Sequence, residues 1–165
     1  MPKPTKSAGV ICTVCSILAL AGIILGLMKS NPLIITFFLL PGVVYEVYRT
    51  EGKSTKLSSI ILLVVFILEI ILILFKINID LSRFLGRSST YVAHYNIPLG
   101  DIRVVGPGIM VVLSIILFLR TNGIYTKWLS VIIFITSFAL IYTIDPVNFG
   151  KFLNTAVQSI LYRLH

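Results

Sequence analysis

Glu69 is the residue whose type and position most suggest chemistry, because this carboxyl group lies near the middle of a long apolar run. An ionised group at mid-membrane depth costs at least about 2.5 to 3.5 kcal/mol, so such residues usually face a partner or a wet cavity. We therefore interpret Glu69 as a candidate proton or cation site. The alternative is a structural carboxyl group that is hydrogen-bonded to a neighbouring helix or paired with a basic residue of another subunit.

The other residues of reactive type indicate no catalytic or metal site. Cys12 and Cys15 form a CxxC pair at the start of a helix, where the helix dipole could activate a thiol. A membrane thiol relay needs a second cysteine pair, however, and the chain has only these two cysteines. His94 and His165 lack the carboxylate or cysteine neighbours of a metal site. We expect no cofactor, no metal and no catalytic residue.

Composition places the chain in a membrane. Of its 165 residues 57% are hydrophobic and 12% are charged, and the mean hydropathy is +1.01, far from soluble globular usage. A net charge of +8 would suggest nucleic acid in a soluble protein. Here the basic residues are scattered among the segments that flank apolar runs, which suits contact with anionic lipid headgroups. We expect the lipid bilayer as a partner and no nucleic acid.

Hydropathy predicts an all-α integral membrane protein with a single domain. Five runs approach the roughly 20 residues that cross a bilayer core. A polar connection and an amphipathic helix lying in the interface plane complete the chain. Within the connection, Thr90–Tyr95 and Asp101–Val105 either pair as a small hairpin or lie on the membrane surface. The predicted spans are 10–28, 33–48, 57–79, 107–119 and 128–144, with the polar connection at 80–106 and the amphipathic helix at 147–164.

Small residues recur along one face of the first span at alternating spacings of four and three. Small side chains let another helix backbone approach closely, and Gly22 and Gly26 form a dimerisation-type GxxxG pair. We interpret this face as a packing seam, either against the chain's own hairpins or against a second copy. The seam residues are Cys12, Cys15, Ala19, Gly22 and Gly26.

Two segments of the chain, 49–61 and 120–132, align without a gap at an offset of 71. Seven of the thirteen positions are identical, whereas average residue frequencies would give about one match by chance. The identical residues are Arg49/Arg120, Thr50/Thr121, Gly52/Gly123, Thr55/Thr126, Lys56/Lys127, Ser59/Ser130 and Ile61/Ile132.

Each segment lies between two apolar runs, so we interpret it as the turn of a membrane helical hairpin. Gly52 is expected to end the incoming helix in a left-handed conformation, and Ser54 or Thr55 to cap the outgoing one. Duplication of one hairpin would relate the two copies by a pseudo-two-fold axis along the membrane normal. The alternative is that all membrane hairpins share such turn residues. Glu69 aligns with Leu140, so the carboxyl group has no counterpart.

Two functions fit these features. The first is an oligomeric transporter- or channel-like protein in which the hairpins form a pathway and Glu69 is the protonatable site. The second is a non-catalytic subunit or assembly factor of a larger membrane complex, docking through Gly22, Gly26 and the C-terminal helix. A membrane enzyme acting at 80–106 would be a third, but that segment has no recognisable catalytic set. Basic residues around the first two spans favour an N-terminus inside the plasma (inner) membrane.

Overall fold

The structure is a computed structural model that describes residues 7–77, 102–150 and 154 together with the backbone of two short strands. Within these residues, five helices are long and apolar enough to cross a membrane, the fourth being counted with the 3₁₀ turn that precedes it. The prediction of an all-α membrane protein with five spans is therefore confirmed. The helices are α1 (Ala8–Lys29), α2 (Pro32–Arg49), α3 (Lys53–Leu74), α4 (Val105–Arg120) and α5 (Ile124–Ile144).

Four of the helices form a ring around one apolar core. Helix α2 packs on α3, α3 on α4, α4 on α5, and α5 on α2, while α1 lies against α2 and α5. The outer faces are apolar too: Val14, Val64 and Val112 are each about half exposed. A surface of this kind suits a bilayer, in which lipid chains solvate the exterior. The core joins the two hairpins through Leu39, Val43, Leu62, Phe66, Met110, Leu117 and Ile133.

The third span differs from its predicted bounds of 57–79. Helix α3 begins at Lys53 and ends at Leu74. It stops there because Lys76 adopts a left-handed conformation (φ +48°), and its N–H donates to the carbonyl oxygen of Ile73 at 3.2 Å. Hydropathy could not show this stop, since apolar residues continue to Ile79. The other four helices each begin one to four residues before the predicted start and end within one residue of the predicted end.

The polar connection contains an antiparallel pair of strands, β1 (Ser89–Val92) and β2 (Tyr95–Pro98). The predicted hairpin, in which 90–95 would pair with 101–105, is wrong. Residues 90–92 belong to β1 and Tyr95 belongs to β2, and Ile102–Val104 is a 3₁₀ turn that leads into α4. The remainder of 80–101 lies outside the described residues. Of the amphipathic helix predicted at 147–164, residues 147–150 and 154 are helical and the rest lies outside the described part.

Candidate functional site: two buried carboxyl groups and the repeated turns

Glu69 is fully buried on the inner face of α3. Its carboxyl group lies against the first turn of α4, so closely that a Cβ atom added to Gly106 would overlap Glu69 Oε2. The 3₁₀ turn that carries Arg103 also contacts α3. The absence of a side chain at Gly106 therefore makes room for the acid, and the start of α4 provides the positive end of a helix dipole beside it.

Sequence reasoning missed a second buried acid, Glu46, which lies on α2 and is also 0% exposed. Its Oε1 accepts a hydrogen bond of 3.1 Å from the hydroxyl group of Thr50, one helical turn away. Its Oε2 is buried and has no hydrogen-bond partner among the described residues. The sequence does contain one indication of this site, since Glu46 is the one acid of the second apolar run. The neighbouring Tyr45 and Arg49, however, are typical of a helix end at the level of the lipid headgroups, where an acid is exposed to water.

The two acids occupy opposite ends of the first hairpin. Glu46 is three residues before the end of α2, whereas Glu69 is sixteen residues after the start of α3 at Lys53. At 1.5 Å of rise per residue this places them roughly 20 Å apart along the helices. Phe66 and Leu62 of the apolar core fill the space between these levels. In the described part of the chain, the acids therefore form two separate sites.

The two repeated turns share a set of hydrogen bonds to the backbone. In each, the helix ends at the arginine, the next threonine closes it through its backbone N–H, and a glycine N-cap begins the next helix. A threonine three residues after that glycine donates its hydroxyl group to the glycine carbonyl. The bonds are Thr50 N–Glu46 O (2.9 Å) and Thr121 N–Leu117 O (3.0 Å), then Thr55 Oγ1–Gly52 O (3.1 Å) and Thr126 Oγ1–Gly123 O (2.7 Å).

This pattern corrects the predicted roles of the turn residues. Gly52 has a positive φ of +101°, but it begins α3 rather than ending α2. The Thr55 hydroxyl donates to the backbone carbonyl oxygens of Glu51 (2.5 Å) and Gly52 (3.1 Å), so it does not accept from the first turn of α3 as a cap would. Asn31 does act as such a cap, for α2, accepting from the N–H of Leu33 at 3.0 Å. Neither repeated turn has a side-chain cap among the described residues.

The repeated turns lie side by side at one end of the bundle. Arg120 Nη1 donates a hydrogen bond of 2.6 Å to Ser54 Oγ and thereby links them. Between them is a cleft of about 540 Å³. Its lining residues are Arg49, Glu51, Gly52, Lys53, Ser54, Thr55, Arg120, Thr121, Asn122, Gly123 and Thr126.

Of the other basic residues of the turns, Arg49 lines the cleft, whereas Lys56 and Lys127 do not. The Arg49 guanidinium is 4.9 Å from the centre of the Tyr125 ring, and Lys127 Nζ is 5.7 Å from the centre of the Phe118 ring. Lys56 is exposed. Cationic side chains near aromatic faces gain modest stabilisation from such contacts.

The buried positions of the two hairpins follow the same offset of 71 as the turns. Where the helices differ, the extra burial falls on Ile35 and Gly42 of α2, on Leu129 and Thr136 of α5, and on Ile73 of α3. Four of these five positions lie on α2 and α5, the two helices against which α1 packs. The pairs in which both members are buried are Thr36/Pro107, Leu39/Met110, Val43/Ser114, Glu46/Leu117, Thr50/Thr121, Thr55/Thr126, Ser59/Ser130, Leu62/Ile133, Phe66/Ser137 and Glu69/Leu140.

The small-residue seam of α1 packs inside the chain. A Cβ atom on Gly22 would overlap Phe38, and one on Gly26 would overlap Ile35, both on α2. Toward the start of α1 the seam meets α5 instead, where the two cysteines pack with Leu129. The buried residues of α1 are Ala8, Cys12, Cys15, Ala19, Gly22 and Gly26, and both cysteines are free thiols.

Within the described residues, no group of three or more His, Cys, Asp or Glu side chains could hold a metal ion. His94 and His165 lie outside the described part. No protein-family model matches the chain, and no curated protein or solved structure shows significant similarity to it.

Proposed function

We propose that this protein is a small transporter- or channel-like membrane protein in which Glu69 is a proton or cation site. The observation that carries the proposal is the complete burial of two carboxyl groups, Glu69 and Glu46, inside a membrane bundle. The equivalent positions of the second hairpin hold Leu117 and Leu140, which are equally buried. The fold therefore accommodates leucine at these two positions. Because burying a carboxyl group in a membrane costs free energy, packing alone does not explain the two acids.

We further propose that the two hairpins arose by duplication and move as units. The ten buried pairs at offset 71 support this, as does the ring of contacts: exchanging α2 with α4 and α3 with α5 leaves every contact in it unchanged. Two related units can alternate between arrangements around a pseudo-two-fold axis. The packed core between them then corresponds to a closed conformation, and a pathway opens when the hairpins separate or when several copies associate.

Flux through reconstituted protein tests this function. We expect proteoliposomes to show pH-dependent cation or proton flux that Glu69→Gln abolishes while expression and folding are retained. Glu51→Gln serves as the matched control, because it removes the same charge from an exposed position in the turn. Unchanged flux in Glu69→Gln would remove Glu69 from the mechanism, and absence of flux in the unaltered protein would reject transport.

The second candidate is a non-catalytic subunit or assembly factor of a larger membrane complex. The filled core favours it, because Phe66, Leu62 and Met110 close the centre of the described bundle to water. The docking surface predicted at Gly22 and Gly26 is not available, since α2 covers both residues. Pull-down from native membranes followed by mass spectrometry should then recover defined partners. A stable monomer at native abundance would exclude this role.

Orientation is a separate part of the proposal. We infer that both repeated turns face the inside of the plasma (inner) membrane, because basic residues are concentrated there relative to the turn at Lys29. Labelling with a membrane-impermeant maleimide tests this, since both native cysteines are buried. Asn31→Cys should react from outside intact cells, and Ser54→Cys only after permeabilisation. The reverse labelling pattern would show that the protein has the opposite orientation in the membrane.

A further inference from the structure

The cleft between the repeated turns carries an excess of positive charge. Arg49, Lys53 and Arg120 line it, and Glu51 is the one acidic residue among the described residues that line it. It lies at the end of the bundle where α2 and α4 stop and α3 and α5 begin, which is headgroup level for helices of these lengths. Basic groups at this level attract anions near a membrane surface.

Two helices begin in the same cleft. The N-caps of α3 and α5 are Gly52 and Gly123, which have no side chain with which to cap a helix, and both line the cleft. The first four N–H groups of a helix have no partner within it. Together with the positive end of the helix dipole, such N–H groups form a favourable environment for an anion. Two uncapped helix starts thus converge on one cleft.

A buried hydroxyl group without a partner lies at this site. Thr121 lines the cleft and is only 8% exposed, and its Oγ1 has no hydrogen-bond partner among the described residues. The hydroxyl group of the equivalent Thr50 lies 3.1 Å from the carboxyl group of Glu46, but Leu117 occupies that position in the second hairpin and offers no side-chain acceptor. A buried polar group left unpaired destabilises the protein, so an acceptor entering the cleft would recover that loss.

From these three features we infer that the cleft binds a phosphate-bearing anion. Its oxygens would accept from the helix-start N–H groups and from the Thr121 hydroxyl, while Lys53 and Arg120 neutralise its charge. Arginine presents a planar fork suited to phosphate, and lysine adds a point charge. The same phosphate chemistry is offered by the headgroup of an anionic lipid and by a soluble phosphomonoester. This inference does not depend on transport, because it concerns the end of the bundle opposite Glu69.

Binding to the purified full-length protein in a neutral detergent tests the inference and separates the two sources. Dioleoyl phosphatidic acid and glycerol 3-phosphate carry the same phosphomonoester with and without acyl chains, and dioleoyl phosphatidylcholine provides the zwitterionic comparison. Dissociation constants are measured by thermophoresis for each. Binding of phosphatidic acid alone identifies a lipid headgroup site, and binding of both phosphomonoesters identifies a site for soluble phosphate compounds. Absence of binding, or equal affinity for phosphatidylcholine, would overturn the inference.

Matched variants locate the site. Lys53 and Lys56 lie in the first turn of α3, but only Lys53 lines the cleft. We expect Lys53→Gln to weaken binding about fivefold, the effect of one basic group near an anionic surface, and Lys56→Gln to leave it nearly unchanged. Thr121→Val should weaken binding to a similar extent without reducing the stability of the unliganded protein. Equal effects of the two lysine variants, or full affinity in Thr121→Val, would place the anion elsewhere and reject the site.

Discussion

Thr50 and Thr121 occupy equivalent positions at the ends of α2 and α4, but only one of the two hydroxyl groups has a partner. Thr50 Oγ1 donates to the carbonyl oxygen of Glu46 at 2.7 Å and also lies 3.1 Å from its carboxyl Oε1. Thr121 Oγ1 is buried beside Leu117 and has no partner among the described residues. The two turns thus share the backbone hydrogen bonds that close α2 and α4, but they differ in polar chemistry and in the φ of the N-cap glycine, which is +101° at Gly52 and −76° at Gly123.

Threonine-to-valine substitutions at these two positions should have opposite effects on stability. Thr50→Val removes a buried donor from Glu46, which should lower the free energy of unfolding by about 1 to 3 kcal/mol. Thr121→Val removes an unpaired hydroxyl group and replaces it with a methyl group of similar size, so it should be neutral or stabilising. Thermal unfolding in detergent compares the two. Equal losses would show that Thr121 has a partner within the protein.

A methyl group added at Gly106 should destabilise the fold through Glu69. The new Cβ atom would overlap the Glu69 carboxyl group, and overpacking of this kind costs about 1 to 3 kcal/mol. Gly108→Ala is the matched control, because nothing lies within 4 Å of a Cβ atom there. Combining Gly106→Ala with Glu69→Ala should recover most of the loss. A full loss in the double variant would mean that something other than Glu69 limits the space.

Particular residues show how much of the fold and of the candidate site can be predicted from the sequence. Apolar runs marked five spans, because bilayer crossing depends on local hydropathy alone. Glu46 was missed because its burial comes from α2 packing within the bundle, whereas its neighbours in sequence are those of an interface. The end of α3 depends on one left-handed residue, Lys76, within a continuing apolar segment. These features arise from tertiary contacts and single dihedral angles, which hydrophobic periodicity does not report.

The cleft between the repeated turns could not be predicted from the sequence alone either. The repeat identified both turns, but it said nothing of their distance from each other. Their proximity follows from the closed ring of four helices, and it is seen directly in the contact from Arg120 to Ser54. The hydroxyl of Thr55, which the sequence suggested as a cap, donates to a carbonyl group and so leaves the start of α3 uncapped. Convergence of two such helix starts is a property of the assembled bundle.

Substitution in the small-residue seam should separate α1 from α2. In Gly26→Ala the added methyl group would overlap the side chain of Ile35, and a cost of about 1 to 3 kcal/mol is expected. Gly9→Ala is the control on the same helix, since its Cβ atom would only make ordinary contact with the Tyr125 ring at 3.6 Å. Thermal unfolding should therefore show a lower midpoint for Gly26→Ala alone. If the two variants are equally stable, α1 does not pack closely on α2 at this point.

Replacing Glu46 with leucine should leave the protein folded. Leu117 is fully buried at the equivalent position of the second hairpin, which shows that this kind of site accepts leucine, and Glu46 has one carboxyl oxygen without a partner among the described residues. Replacement of buried ionisable groups by well-packed apolar ones is often neutral or stabilising by about 1 to 4 kcal/mol.

The reciprocal Leu117→Glu places a second acid beside Thr121, whose hydroxyl group can donate to it as Thr50 does to Glu46. Its cost should therefore be larger in a Thr121→Val background, and unfolding of the single and double variants measures the difference. A marked loss of stability in Glu46→Leu would instead assign Glu46 a structural role, and the second buried acid would then no longer support a functional interpretation.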